Sequence, residues 1–154
     1  MSQKQAFYST LLNQVEAITE GEPDWVANMA NVSALLFHSL EQVNWVGFYR
    51  RQREQLVLGP FQGQVACIRI PLGNGVCGVA AEKNEVQRIA DVHQFEGHIA
   101  CDAASNSEIV LPIVHKGNVV AVLDIDSPEF NRFDEADEQG LTAIQSYLNS
   151  IAGE

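Results

Sequence analysis

Residues 108–126, EIVLPIVHKGNVVAVLDID, hold two apolar runs separated by a Lys116–Gly117 step. Two strand-length runs broken by a two-residue turn make a β-hairpin. That hairpin is the strongest constraint in the chain, because it demands an antiparallel sheet. Upstream, VNWVGFYR (43–50), QLVLGPF (55–61) and ACIRIP (66–71) read as further strands rich in branched and aromatic residues, and VQRIADV (86–92) as a short one. Helical periods bracket and interrupt this set. Residues 3–19 carry Phe7, Leu11, Leu12, Val15 and Ile18 at helical spacing. After the break at GEP (21–23), Trp25, Met29, Val32, Leu35, Leu36 and Leu40 form a second amphipathic stripe, with Pro23 near its start. LGNGVCGVAAEKN (72–84) passes from glycine-rich turn to helix. Asp134 can cap a last helix bearing Leu141, Ile144, Leu148 and Ile151. The expected fold is α+β: one domain over residues 1–154, with a mainly antiparallel sheet of about six strands and helices packed on one face. No repeat, linker or low-complexity tract divides it. Residues 93–107 lack any period and read as a loop, long enough to suggest function.

Charge narrows the partners. The 154 residues carry a formal net charge of −11. Such a surface repels phosphate backbones and anionic lipid, so nucleic-acid and membrane binding are not expected. No apolar run approaches the ~20 residues that cross a bilayer. The N-terminus lacks the basic-then-apolar pattern of a secretory signal, and the expected location is cytoplasmic. A cationic group on a small ligand would be welcome.

Three cysteines, Cys67, Cys77 and Cys101, are too few for a disulfide scaffold. Their spacing offers no CxxC pair, and a structural zinc site is not expected. Cys101 lies in the loop stretch GHIACDAASNSE, among small and polar residues, where a thiol is either a small packed group or an accessible nucleophile. Cys67 and Cys77 could serve as partners in a nucleophile–resolver pair. Asp124 and Asp126 alternate with Leu123 and Ile125 in LDID, so both acids share one strand face. Acids so placed are ordinarily solvated; the alternative is a pocket lining. Glu108 follows the cysteine loop. Three acids together could grip an ammonium group or hold a proton near a reacting oxygen. Trp45, Gly47 and Tyr49 likewise share a face, as core packing or as an aromatic wall in which Gly47 leaves room between the rings. His93 and His98 flank the loop without further paired ligands, which gives little support to a metal site. GNGVCG lacks the Lys-Ser/Thr ending of a phosphate loop.

The strings NWVGFY, LVLGPFQG, CIRIPLGNGVCG, VHQFEGHIACDAASNSEIVLPI and VLDIDS resemble the free methionine-(R)-sulfoxide reductases, compact proteins of the GAF fold. The resemblance spans nearly the whole chain. It implies reduction of free methionine (R)-sulfoxide by thiol chemistry, with no metal or organic cofactor. By position, Cys101 resembles the nucleophile and Cys67 the resolving cysteine. Cys77 resembles a third motif cysteine able to resolve in its place. Trp45 and Tyr49 resemble the wall around the substrate methyl group. Glu108, Asp124 and Asp126 resemble the acids that bind the ammonium and assist the sulfoxide oxygen. The family also implies recycling by thioredoxin and a homodimer. Because an acid cluster disfavours thiolate, either the substrate ammonium offsets its charge or one carboxyl is protonated and donates, with Glu108 the expected donor. The residues leave two rivals open: a GAF-type small-molecule sensor, and a redox sensor that turns over no substrate.

Overall fold

The computed structural model describes residues 1–98 and 104–153. The elements run α1 (Gln3–Thr19), α2 (Trp25–Ser39), β1 (Trp45–Gln52), β2 (Gln55–Gly63), β3 (Arg69–Pro71), α3 (Gly75–Lys83), β4 (Gln87–Ile89), β5 (Ser107–His115), β6 (Asn118–Ser127) and α4 (Glu135–Ile151). The six strands form one sheet in the order β3-β2-β1-β6-β5-β4. Every neighbouring pair is antiparallel. The expected hairpin is present: His115 pairs with Asn118, leaving Lys116 and Gly117 as the two-residue turn. Both have positive φ, 52° and 80°, the backbone that matches the right-handed twist of paired strands.

Local signals set the helix ends. Ser2 and Gln5 form a capping box at the start of α1. Asp24 caps α2 through the amide of Ala27. Asp134 caps α4 as the sequence suggested, and Asp137 completes the box.

The expectation of helices on one face requires correction. The apolar stripes of α2 and α4 pack on the face carrying Val46, Phe48, Ile109, Leu111, Leu123 and Ile125, and α1 packs against α2 and α4. Helix α3 lies on the opposite face, where Val76, Cys77 and Ala80 meet Trp45, Tyr49, Val110 and Val122. The short helix is a small-residue element that can approach the sheet closely. At Gly78 an added Cβ would stand 2.6 Å from the Pro71 carbonyl oxygen. One face of the sheet is thus a broad dry core. The other is only partly covered, and the uncovered part becomes a cleft.

Candidate functional site

Strand register builds the cleft in rows. Trp45 on β1 pairs with Asp126 on β6, and Asp126 pairs with Glu108 on β5. One step along, Gly47 pairs with Asp124, and Asp124 with Val110. A third row joins Tyr49 to Val122. Residues directly opposite each other share a face and stand about 5 Å apart at Cβ. The alternation therefore places Trp45, Tyr49, Glu108, Asp124 and Asp126 on the α3 side, and all five line the cleft. Cys77, in the first turn of α3, closes it from above. Its Sγ lies 3.9 Å from Glu108 Oε2.

The acids are buried: Asp124 is 5% exposed, Glu108 8% and Asp126 9%. Solvation does not account for them. Directly opposed carboxyls at Asp126 and Glu108 would destabilise the sheet if both were charged and uncompensated. No lysine or arginine is among the described residues lining the cleft. Oδ1 of Asp124 is buried without a hydrogen-bond partner among the described residues. Burial, reinforced by Asp126 and Glu108, pushes the Asp124 carboxyl well above the ordinary carboxylate range. Burial first, then Asp124 and Glu108, likewise pushes the Cys77 thiol up. Burial first, then the surrounding acid cluster, pushes the Tyr49 hydroxyl up as well.

The aromatic wall differs from the expectation in one respect. Gly47 opens no gap for a ligand between the rings. A Cβ there would lie 2.3 Å from Phe61 Cβ and 2.8 Å from the Trp45 ring. Phe61 on β2, paired with Gly47, fills the space. Trp45 stacks on Phe61 at 5.1 Å and on Tyr49 at 5.8 Å. The result is a continuous slab with one edge toward the cleft. Two hydrogen bonds fix it: Trp45 Nε1 donates to the Gln64 carbonyl at 3.1 Å, and Tyr49 Oη donates to the Cys67 carbonyl at 3.0 Å. The second ties the wall to the cysteine segment before β3. Cys67 is disulfide-bonded, and Cys77 carries a free, buried thiol.

Cys101 lies outside the described residues. The chain on either side of its segment is anchored at the cleft. Gly75 N donates to Gly97 O at 3.2 Å, and Asn106 N donates to Ser127 O at 2.8 Å. His98 and Ser105 line the cleft. His93 is not among the described lining residues; its ring lies 6.3 Å from that of His98, and its Nε2 and Asn106 Oδ1 are 2.9 Å apart. From the sequence His98 is only a weak metal-ligand candidate, and Phe61 and Ser105 do not stand out as parts of a site. Phe61 sits in a recognised strand, but only the β1–β2 register sets it against a glycine.

This geometry matches known proteins closely. The GAF domain model matches residues 26–150. The free methionine-R-sulfoxide reductase of Escherichia coli is 55% identical over 148 residues, covering 96% of this chain and 90% of that protein. The fRMsr of Staphylococcus aureus in complex with substrate superposes with a TM-score of 0.90 at 47% identity, over 95% of each chain. The free methionine-R-sulfoxide reductase of Neisseria meningitidis, also in complex with its substrate, gives a TM-score of 0.93 at 42% identity over 98% of this chain and 91% of that one. A sheet whose acid-bearing face is roofed by a short helix is here a GAF domain; within that class the chain belongs to the family of free methionine-R-sulfoxide reductases, which are oxidoreductases.

Proposed function

We propose that this protein reduces free methionine (R)-sulfoxide to methionine. The observation that carries the reading is the row of buried carboxyls, Glu108, Asp126 and Asp124, beside the Trp45–Tyr49 wall with no lysine or arginine in the described lining. Buried acids of this kind call for a cation supplied by the ligand. The ammonium of a free amino acid meets that need, and a peptide-bound residue lacks it. The aromatic edge offers an apolar seat for the S-methyl group.

Cys101 is the nucleophile in this reading. It is three residues from His98, a tether of at most about 10 Å, and His98 lines the cleft. Cys77 is a poorer candidate, because burial among acids holds it as the unreactive thiol. The thiolate of Cys101 adds to the sulfoxide sulfur as the sulfoxide oxygen takes up a proton. The hydroxyl then shifts to the cysteine sulfur, the new sulfur–sulfur bond and the original S–O bond break, and methionine departs, leaving Cys101 as the sulfenic acid. The sulfoxide oxygen needs that proton from a nearby acid. The sequence suggested Glu108 as its donor; the burial of Asp124 makes that carboxyl the better place for the proton. Cys67 then condenses with the sulfenic acid, releasing water and forming a disulfide. Its disulfide-bonded state supports this role. Cys77 stands in reserve as a resolver. A dithiol, thioredoxin in this reading, resets the enzyme by exchange. A cytoplasmic homodimer is the proposed form.

The test mixes the protein with racemic free methionine sulfoxide and dithiothreitol and follows each epimer on a chiral column. Loss of the R epimer alone, abolished in Cys101→Ser, is expected. Persistence of both epimers would overturn the reading. Equal rates on N-acetylated and free substrate would remove the ammonium from it.

A further inference from the structure

We propose that Cys77, Glu108 and Asp124 form a binding site for a thiophilic divalent cation, zinc above all, whose occupancy shuts the cleft to the substrate ammonium. One sulfur and two carboxylate oxygens, one from each of these residues, lie within 4.8 Å of one another. The Cys77–Glu108 edge is already 3.9 Å. In a tetrahedral zinc site the corresponding S···O edge is about 3.5 Å, so this edge needs to shorten by only a few tenths of an ångström, and the Asp124 carboxyl closes in from within 4.8 Å. The second, independent observation is the buried Asp124 Oδ1, which lacks a hydrogen-bond partner among the described residues and faces the same cleft. A buried carboxylate oxygen without a donor is rare enough to call for a ligand.

The donor set selects the metal. A thiolate with two carboxylates suits zinc or cadmium; magnesium and calcium prefer oxygen alone. The three residues sit on three mutually packed elements, α3, β5 and β6, which fixes the triangle before the ion arrives. The fourth position opens to the cleft, where water or a substrate atom can complete the coordination. Binding is an acid–base event only. The Cys77 S–H bond and the Asp124 carboxyl O–H bond break, metal–sulfur and metal–oxygen bonds form, both protons pass to solvent, and nothing is oxidised or reduced. The competition with substrate rests on the functional reading above; the binding of metal does not.

The experiment uses the full-length protein with Cys67 oxidised, so that Cys77 is the free thiol, and titrates it with cadmium chloride while following thiolate-to-metal absorbance. Zinc is then measured by displacement of the cadmium. One equivalent is expected, with the band lost in Cys77→Ser and the affinity weakened at least 10-fold in the isosteric Asp124→Asn. Circular dichroism confirms that both variants fold. Adding free methionine sulfoxide should raise the apparent dissociation constant in proportion to its concentration. No absorbance band, or a band that survives Cys77→Ser, overturns the site. Binding that ignores the sulfoxide overturns the competition. Protein that reduces the sulfoxide but takes up no cadmium refutes this inference and spares the reductase; protein that binds cadmium but reduces nothing does the reverse.

Discussion

Two buried aspartates on opposite sides of the sheet show how differently one residue type can be used. Asp137, 1% exposed between α1 and α4, accepts from Tyr8 Oη at 2.7 Å, Lys4 Nζ at 2.6 Å, Arg132 Nη1 at 3.2 Å and the Asp134 amide at 2.9 Å. Its charge is matched and its lone pairs are used. Asp124 is buried almost as deeply, yet its neighbours are two more carboxyls and a thiol. A matched buried charge staples elements together; an unmatched one costs stability and is retained where a ligand brings the balancing charge.

Removing each aspartate tests the contrast. Asp137→Asn removes the negative charge and one acceptor oxygen that Lys4, Arg132 and the Asp134 amide share, while Lys4 keeps Asp134 and Arg132 keeps the Glu41 carbonyl; it should cost roughly 1.5–3 kcal/mol in urea unfolding, with specific activity of the folded fraction kept. Asp124→Asn should do the opposite. It relieves repulsion and leaves stability equal or higher, while kcat/KM for methionine (R)-sulfoxide falls ~100-fold, the usual scale for loss of a general acid. If the two variants lost stability equally, the contrast would collapse.

Smaller effects sharpen it. Gly47→Ala drives a methyl into Phe61 and the Trp45 ring and should cost roughly 1–3 kcal/mol as overpacking, with KM rising more than kcat falls because the wall tilts. The smallest effect is in pH. Unfolded Asp124 ionises near 3.8, whereas the folded protein holds its proton to higher pH. Across that window the native state binds more protons, so this contribution to stability is full below 3.8 and declines as pH rises. Asp134 has the opposite sign: the amide of Asp137 and the Lys4 ammonium lower it, so its contribution is present above 3.8 and is lost below. The urea midpoint should therefore drop between pH 5 and pH 8, and Asp124→Asn should drop less. An unchanged slope in that variant would show that the carboxyl is already ionised in the native state.

Much of the sheet was legible because strand signals are local. LDID and WVGFY reveal their shared faces through a period of two, and Lys116–Gly117 declares its turn. The placement of α3 was not legible. Its buried residues include Gly75, Cys77, Gly78, Ala80 and Ala81, too small to print a strong stripe, so nothing in GVCGVAAEK says which face it covers. The acids could be grouped on a face, but their burial follows from that roof. Gly47 misled for a related reason: a glycine in a strand signals close approach, and only β2 reveals that the approaching group is Phe61.

The strand order also governs how the chain can reach its folded state. The β1–β2 and β5–β6 pairs are hairpins between neighbours in sequence, while the β1–β6 pair joins segments from opposite ends of the chain. Local hairpins close in microseconds; distant strands must first meet the entropy of a large loop. Trp45 comes to face Asp126 only through that distant pairing. The aromatic wall and the acid row therefore arise on separate hairpins and become one site at the slowest step. Mutations that slow the β1–β6 closure should delay the recovery of activity in refolding experiments more than the recovery of strand signal.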